Sequence, residues 1–445
     1  MGARLALAAY SALLRLATPL YLARLWWRGR AEADYRLAWG ERLGYAGSPQ
    51  PPGRLWLHAV SLGETRAAAA LIDELRVQRP GLRLLLTHGT ATGRAAGRAL
   101  LRDGDAQAWL PYDTPGAVRR FLHAHRPVVG VLMETEVWPN LLAAARAENV
   151  PMVLANARLS QRSLYKGLRL AALMHPAVAA FTRVLAQTDD DARRLRQIGA
   201  APVDVLGNLK FDMTPDAAKI ALGRQWRAAA GRAVVLAAST REGEEPPLLR
   251  AWAALPAPRP LLLLVPRHPQ RFDEVAGLVA AAGLSLARRS RWALHPPAEA
   301  SAADVWLGDS LGEMGLYYGG ADVALLGGSF APLGGQNLIE AAACACPLLM
   351  GPHTFNFQQA AEMALAVGAA GRVDNIVTGV ARAVALAGDA REREAMSRRA
   401  LAFSAQHRGA ARRMAADVLA AAAAASAALG LNGAATARWP GSEAG

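Results

Sequence analysis

Short apolar runs alternate with longer amphipathic stretches along most of this chain. Apolar runs closed off by Gly, Pro or polar residues read as buried strands, and the mixed stretches between them as helices. In the first half the pattern predicts strands over 54–60, 83–87, 107–110, 128–133, 152–155, 183–187 and 203–206. A polar stretch over 211–219 interrupts the rhythm, which restarts with strands over 233–238, 260–265, 284–287, 304–307, 322–326 and 347–350. Strand and helix alternating twice over predicts α/β architecture with two doubly wound, Rossmann-like domains, at 29–215 and 216–425. Two such domains facing each other would leave a cleft, a common place for a small-molecule site. Residues 420–428 are nearly all alanine and read as the end of a helix. Residues 426–445 carry no apolar period beyond 431 and read as a disordered tail.

The first residues follow a different pattern. Residues 5–23 are apolar except for Arg15, and Arg24, Trp26, Trp27, Arg28 and Arg30 follow. The segment is just long enough to span a bilayer. Arg15 at its centre costs about 2.5–3.5 kcal/mol on insertion scales, so an interfacial helix is the alternative to a spanning one. A buried core helix fits the Trp-Trp-Arg flank less well. A cleaved signal peptide lacks its basic leader and its small-residue cleavage site. Residues 1–28 therefore read as a membrane anchor. The arginines that follow it leave the rest of the chain on the cytoplasmic side.

Composition narrows the function. Hydrophobic residues make up 53% of the 445 positions, which excludes a disordered protein. The net charge is +14, carried almost wholly by arginine, since the only lysines are Lys166, Lys210 and Lys219. Such a charge suits nucleic acid or an anionic membrane surface. A non-catalytic nucleic-acid-binding protein would cluster its basic residues with stacking aromatics, whereas aromatics here are 6% and the arginines are scattered. Cys344 and Cys346 stand too close in sequence for an unstrained disulfide and read as small buried residues. The histidines show no metal-ligand spacing, so no metal is expected.

Candidate chemistry sits where strands end. Ser61-Leu62-Gly63-Glu64 and Met133-Glu134-Thr135-Glu136-Val137-Trp138-Pro139-Asn140 each follow an apolar run. Each puts a carboxylate at the carboxyl end of a strand, where open α/β sheets bind ligands. Glu64 could serve as a base or simply as a helix N-terminal acid, and Glu134 as a stabiliser or a buried partner of an arginine. Trp138 and Pro139 read as packing. In the second half, Pro266-Arg267-His268-Pro269 and Gly327-Gly328-Ser329 follow strands, and Gly334-Gly335-Gln336-Asn337 opens a helix containing Glu340. Glycine turns and a helix N-terminus suit a phosphate, with Arg267 adding a charge-assisted bond. A surface ion pair for Arg267 and a satisfied histidine at 268 are the plainer alternatives.

The ordered set of phrases resembles the Kdo (3-deoxy-D-manno-octulosonic acid) transferase family. The phrases comprise His58 to Glu64, Met133 to Asn140, Asn156-Ala157-Arg158-Leu159-Ser160 and Gly207 to Asp212. They continue with Ser239 to Glu245, Pro266 to Phe272, Gly308 to Glu313, Gly327 to Glu340, Gly351-Pro352-His353 and Asn356-Phe357. The resemblance implies a GT-B glycosyltransferase with an N-terminal anchor at the cytoplasmic face of the inner membrane. It implies an inverting transfer of Kdo from CMP-Kdo to the lipid A precursor, in lipopolysaccharide biosynthesis, without a metal or other cofactor. Its partners would be the donor, the acceptor and anionic lipids, with no nucleic acid. By resemblance Glu64 is the general base, and Glu134 and Lys210 stabilise the transition state. Arg267, His268, Gly312, Glu313, Met314, Asn337, Leu338, Ile339 and Glu340 match the CMP-binding region. The chain departs from the family pattern at Arg241 and Gln336, where histidine is common, and at Leu338, where proline is common. The rival within the fold is another GT-B nucleotide-sugar transferase or an epimerase.

Overall fold

A computed structural model describes residues 2–30, 32–46 and 52–428. The chain forms two units, one running to Asp212 and resuming at Gly409, the other Met213–Arg408.

The first unit holds a seven-stranded parallel sheet of β1 (Leu55–His58), β2 (Leu84–His88), β3 (Ala106–Trp109), β4 (Val129–Met133), β5 (Met152–Ala157), β6 (Arg183–Ala186) and β7 (Val203–Val205). Its strand order is β3-β2-β1-β4-β5-β6-β7. The order reverses between β1 and β4, which pair with His58 opposite Leu132. Such a switch point opens a crevice at the strands' carboxyl ends. The strands are buried on both faces, as their continuous apolar runs require. One layer packs Trp56, Phe121, Leu142 and Leu154 together, and the other packs Leu57, Leu71, Leu75 and Val131.

That second layer also contains Ala411, Met414, Ala415, Val418 and Ala422, at helical spacing on the helix Ala410–Ala428. The sequence reading ran the second domain to 425. The structure instead returns this last helix to the first unit, because its small-residue face fits against Leu71 and Leu75. The Asp212 carboxylate fixes the return by accepting the N–H groups of Gly409 and, at 2.7 Å, Ala411. Residues 426–428, assigned above to a disordered tail, belong to this helix, and 429–445 lie outside the described residues.

The second unit holds another parallel sheet of seven strands: β8 (Val234–Thr240), β9 (Leu261–Pro266), β10 (Leu286–Arg288), β11 (Val305–Leu307), β12 (Val323–Leu326), β13 (Leu348–Met350) and β14 (Ala370–Arg372). Its order is β10-β11-β9-β8-β12-β13-β14, with the reversal between β8 and β12. Thirteen strands fall where the sequence pattern puts them. The fourteenth, β14, is an edge strand of three residues, Ala-Gly-Arg, with no apolar run to betray it.

The N-terminal helix Ala3–Arg28 is long and apolar enough to cross a membrane, yet only 11% of its most apolar window is buried. It is thus no core helix. One seam docks on the first unit: Tyr10 Oη donates to Asp113 at 3.0 Å and Ser11 Oγ to Asn140 at 2.9 Å. Leu5, Leu13, Leu16, Leu20, Trp26 and Trp27 remain exposed.

Candidate functional site

At the first switch point, Ser61 caps the helix Leu62–Gln78, its Oγ accepting the Glu64 N–H at 3.4 Å. Glu64 reaches back from the third helical position. Its carboxylate accepts the Val60 N–H at 2.8 Å and the Ser61 hydroxyl at 3.1 Å. Such a reciprocal cap fixes the carboxyl group against the end of β1. Each oxygen keeps a further lone pair for a ligand. The role of helix N-terminal acid and that of base are therefore compatible.

Across the crevice β4 ends in a turn that begins with a strained residue. Glu134 has φ 58°, in the left-handed region that non-glycine residues rarely occupy. Its N–H donates to Ala155 O at 2.9 Å, and its buried carboxylate accepts Arg158 Nε at 2.7 Å. Strain of this kind survives where the surroundings over-determine it, often at functional sites. Asn156, also left-handed at φ 52°, shapes a bulge at the end of β5. Its side-chain oxygen accepts the Leu209 N–H at 3.1 Å, which anchors the short turn Leu209–Asp212 carrying Lys210.

These groups are electrostatically coupled. Burial, then Glu134, push the Glu64 carboxyl above its usual range, against the pull of the Val60 N–H, Ser61 and Arg158. Burial pulls Lys210 down, while Glu134 and Glu64 hold it up. Glu136 is pushed up to about 7, chiefly by burial and then by the neighbouring Glu64 charge. Its one opposing contact is the Trp138 indole N–H at 2.8 Å. Glu64, Glu134 and Lys210, singled out from the sequence, thus come together. Arg158 and Glu136 were not singled out. Both lie inside the phrases quoted above, but their roles depend on the left-handed turn, which no composition rule reveals.

The second switch point is built from backbone. Here too a bulge with a left-handed residue, Ser239 at φ 57°, ends the central strand, β8. Glu244 is buried beneath it. Its carboxylate accepts the N–H groups of Arg241 at 2.9 Å, Gly328 at 2.7 Å, Phe330 at 3.0 Å and Ala331 at 3.3 Å. This holds the glycine turn after β12 in place. A Cβ on Gly327 would lie 2.2 Å from Ser239 O, so only glycine fits there. Arg267 is tied to this turn, with its N–H on Thr240 O at 2.9 Å and its Nε on Gln336 Oε1 at 3.2 Å. Arg241 and Gln336 both flank Gly328, so two of the three departures from the family pattern are spatial neighbours. Burial, then Arg241, lower the pKa of His268.

The remaining predicted residues divide. Met314 reaches this switch point, its sulfur accepting the Ser239 hydroxyl at 3.9 Å. Gly312 is left-handed and its carbonyl accepts Lys219 Nζ at 3.0 Å. Glu313 is committed to structure, holding Arg289 at 2.8 and 3.0 Å and the Ser310 hydroxyl at 2.5 Å. Burial opposes its ionisation, but Ser310 and Arg289 outweigh it and keep the carboxyl below its usual range. Asn337 caps the helix Leu338–Ala343 by accepting the Ile339 N–H at 3.2 Å. Leu338 and Ile339 are buried, so their side chains pack in the core and only their backbone could meet a ligand. Glu340 is half-buried on the same helix.

A further cavity of about 480 Å³ lies between the N-terminal helix and the helices Pro115–His125 and Pro139–Ala147. Arg4, Arg15 and Arg119 line it together with Leu7 and Ala143.

Two doubly wound sheets, each with a worked switch point, are the architecture of a GT-B glycosyltransferase. The Anabaena protein HepE in complex with UDP shares it, with TM-score 0.56 over 83% of this chain and 99% of that one at 15% identity. The family model described as 3-deoxy-D-manno-octulosonic-acid transferase (kdotransferase) matches residues 37–213. The 3-deoxy-D-manno-octulosonic acid transferase of Bordetella pertussis is 51% identical over 91% of this chain and 96% of its own length. That of Haemophilus influenzae is 34% identical over 91% and 96%. The chain belongs to the Kdo transferase family.

Proposed function

We propose that this chain moves Kdo from CMP-Kdo to the lipid A precursor in lipopolysaccharide biosynthesis, with inversion and without a metal ion. The observation that carries the reading is the coupled group of Glu64, Glu134 and Lys210 at the first switch point of a Kdo transferase family member. Glu64 takes the acceptor hydroxyl proton as that oxygen bonds to the anomeric carbon of Kdo. The bond from that carbon to the CMP phosphate breaks, and CMP leaves with the electron pair. Lys210 and Arg158 supply positive charge for the Kdo carboxylate. Arg267 and the N–H groups of the glycine turns stabilise the charge gathering on the phosphate. Incubation with CMP-Kdo and labelled lipid A precursor tests this: Kdo-bearing lipid is expected, and its absence would refute the reading.

The same reading puts the protein at the cytoplasmic face of the inner membrane. The exposed leucines and tryptophans of Ala3–Arg28 suit a lipid surface, and Arg4, Arg15 and Arg119 suit the phosphates of anionic lipids. Removal of residues 1–28 is expected to shift the protein from the membrane to the soluble fraction. A truncated chain wholly in the pellet would count against the anchor.

A further inference from the structure

Five charged groups meet at the first switch point: Glu64 from the helix Leu62–Gln78, Glu134 and Glu136 from the turn after β4, Arg158 after β5, and Lys210 from Leu209–Asp212. The strand register puts them there. β1 and β4 are parallel neighbours, with His58 opposite Leu132, so the segment with Val60, which holds the Glu64 carboxylate, and the turn with Glu134 and Glu136 leave the sheet at the same end of adjacent strands. Parallel strands lie about 4.8 Å apart. The turn then folds back, the Glu136 N–H donating to Met133 O at 3.3 Å, which keeps Glu136 beside the same crevice.

Three carboxyls and two cations leave one negative charge in excess in a half-buried place. One proton held among the carboxyls relieves it. The donors decide which group holds that proton. Glu134 has a guanidinium at 2.7 Å. Glu64 has a backbone N–H and a hydroxyl at 2.8 and 3.1 Å. Among the described residues Glu136 has only a neutral indole N–H.

We propose that Glu136 is a positioning residue for the proton transfer: it and Glu64 form a coupled pair, in which the charge on Glu136 sets the basicity of Glu64. The proposal rests on the reading of Glu64 as the base. With Glu136 protonated, Glu64 stays ionised but is a weaker base. With Glu136 ionised, repulsion makes Glu64 a stronger one. When Glu64 takes the acceptor proton the repulsion vanishes, and a protonated Glu136 becomes more acidic and can release its proton to water. One proton enters the pair from the acceptor and one leaves it. The elevated pKa of Glu136 agrees with this.

Two measurements test the pair. The first is the pH profile of kcat/KM for the parent and Glu136→Gln, whose amide oxygen still accepts the Trp138 N–H. The parent should keep gaining rate through pH 7, and the variant should lose that gain, falling about three- to tenfold behind by pH 8.5. Parallel profiles would reduce Glu136 to a structural group. The second is carboxyl NMR titration, which needs no turnover. Glu136 should titrate about half a unit to one unit lower in Glu64→Gln, whereas Glu64, which titrates below it with Glu136 already protonated, should keep its place in Glu136→Gln. A Glu136 titration that does not respond to the loss of Glu64 would overturn the coupling. If the parent transfers no Kdo at any pH, the functional reading fails, while the titrations still decide whether the carboxyls are paired.

Discussion

The two switch points use the same backbone device for different ends. In each, a strand bordering the crevice, or its neighbour, ends in a bulge with a left-handed residue, Asn156 in one sheet and Ser239 in the other. The first then presents side chains: Glu64, Glu134, Glu136, Arg158 and Lys210. The second spends its buried carboxylate, Glu244, on organising backbone, and presents N–H groups with Arg267 beside them. Proton transfer needs groups that titrate, whereas phosphate binding needs fixed positive potential. The contrast predicts how each site should fail. Substitutions at the first should stop chemistry in a folded protein, and substitutions at the second should weaken donor binding, some of them through the fold.

The largest effect is expected from Glu64→Gln. Loss of a general base costs about 10²- to 10⁴-fold in rate. Glutamine can still accept the Val60 N–H, so thermal melting should change little. Steady-state transfer with a melting curve makes the measurement, and a rate within a few-fold of the parent would remove Glu64 from the chemistry.

Glu244→Ala should fail the other way. It strands the N–H groups of Arg241, Gly328, Phe330 and Ala331, that of Gly328 in a buried place and the others half-buried. Each unsatisfied group costs about 1–3 kcal/mol, so the second unit should melt early and calorimetry should detect little CMP binding. Normal melting with normal CMP affinity would show that the glycine turn holds itself. Arg267→Ala is gentler. It removes one charge-assisted contact, so CMP affinity should fall by about 1.5–3 kcal/mol with melting unchanged. Unchanged affinity would assign Arg267 a structural role, in which its bond with Gln336 takes part.

The sequence carried the fold well because parallel strands buried on both faces leave uninterrupted apolar runs. It failed at β14, which has no such run, and at the last helix. Alanine spacing marks Ala410–Ala428 as helical but cannot say which sheet its face will meet. At the sites, Glu64 was legible because it is a carboxylate placed where an apolar strand hands over to a helix. Glu136 and Glu244 were not. Their importance comes from the donors around them, one having a lone indole and the other four backbone N–H groups. Glu313 shows the converse, a motif residue whose side chain is taken up by Arg289 and Ser310.

The smallest expected effect is none at all, from a chelator. Among the described residues no three of His, Cys, Asp and Glu group as metal ligands do. The acids of the Asp189-Asp190-Asp191 run begin the helix Asp189–Gln197, where they favour its dipole and where Asp191 accepts the Leu159 N–H at 2.9 Å. At the first switch point Glu134 is neutralised by Arg158, and Glu64 is held by its cap. At the second, Glu244 is spent on four N–H groups. The leaving group asks for less as well. CMP gathers charge on one phosphate, while a nucleoside diphosphate gathers more and often recruits a divalent ion. Transfer should therefore run at the same rate in excess EDTA as with Mg²⁺. A large loss in EDTA, restored by a divalent ion, would mean that N–H groups and Arg267 do not suffice, and the contrast between a side-chain site and a backbone site would fall with them.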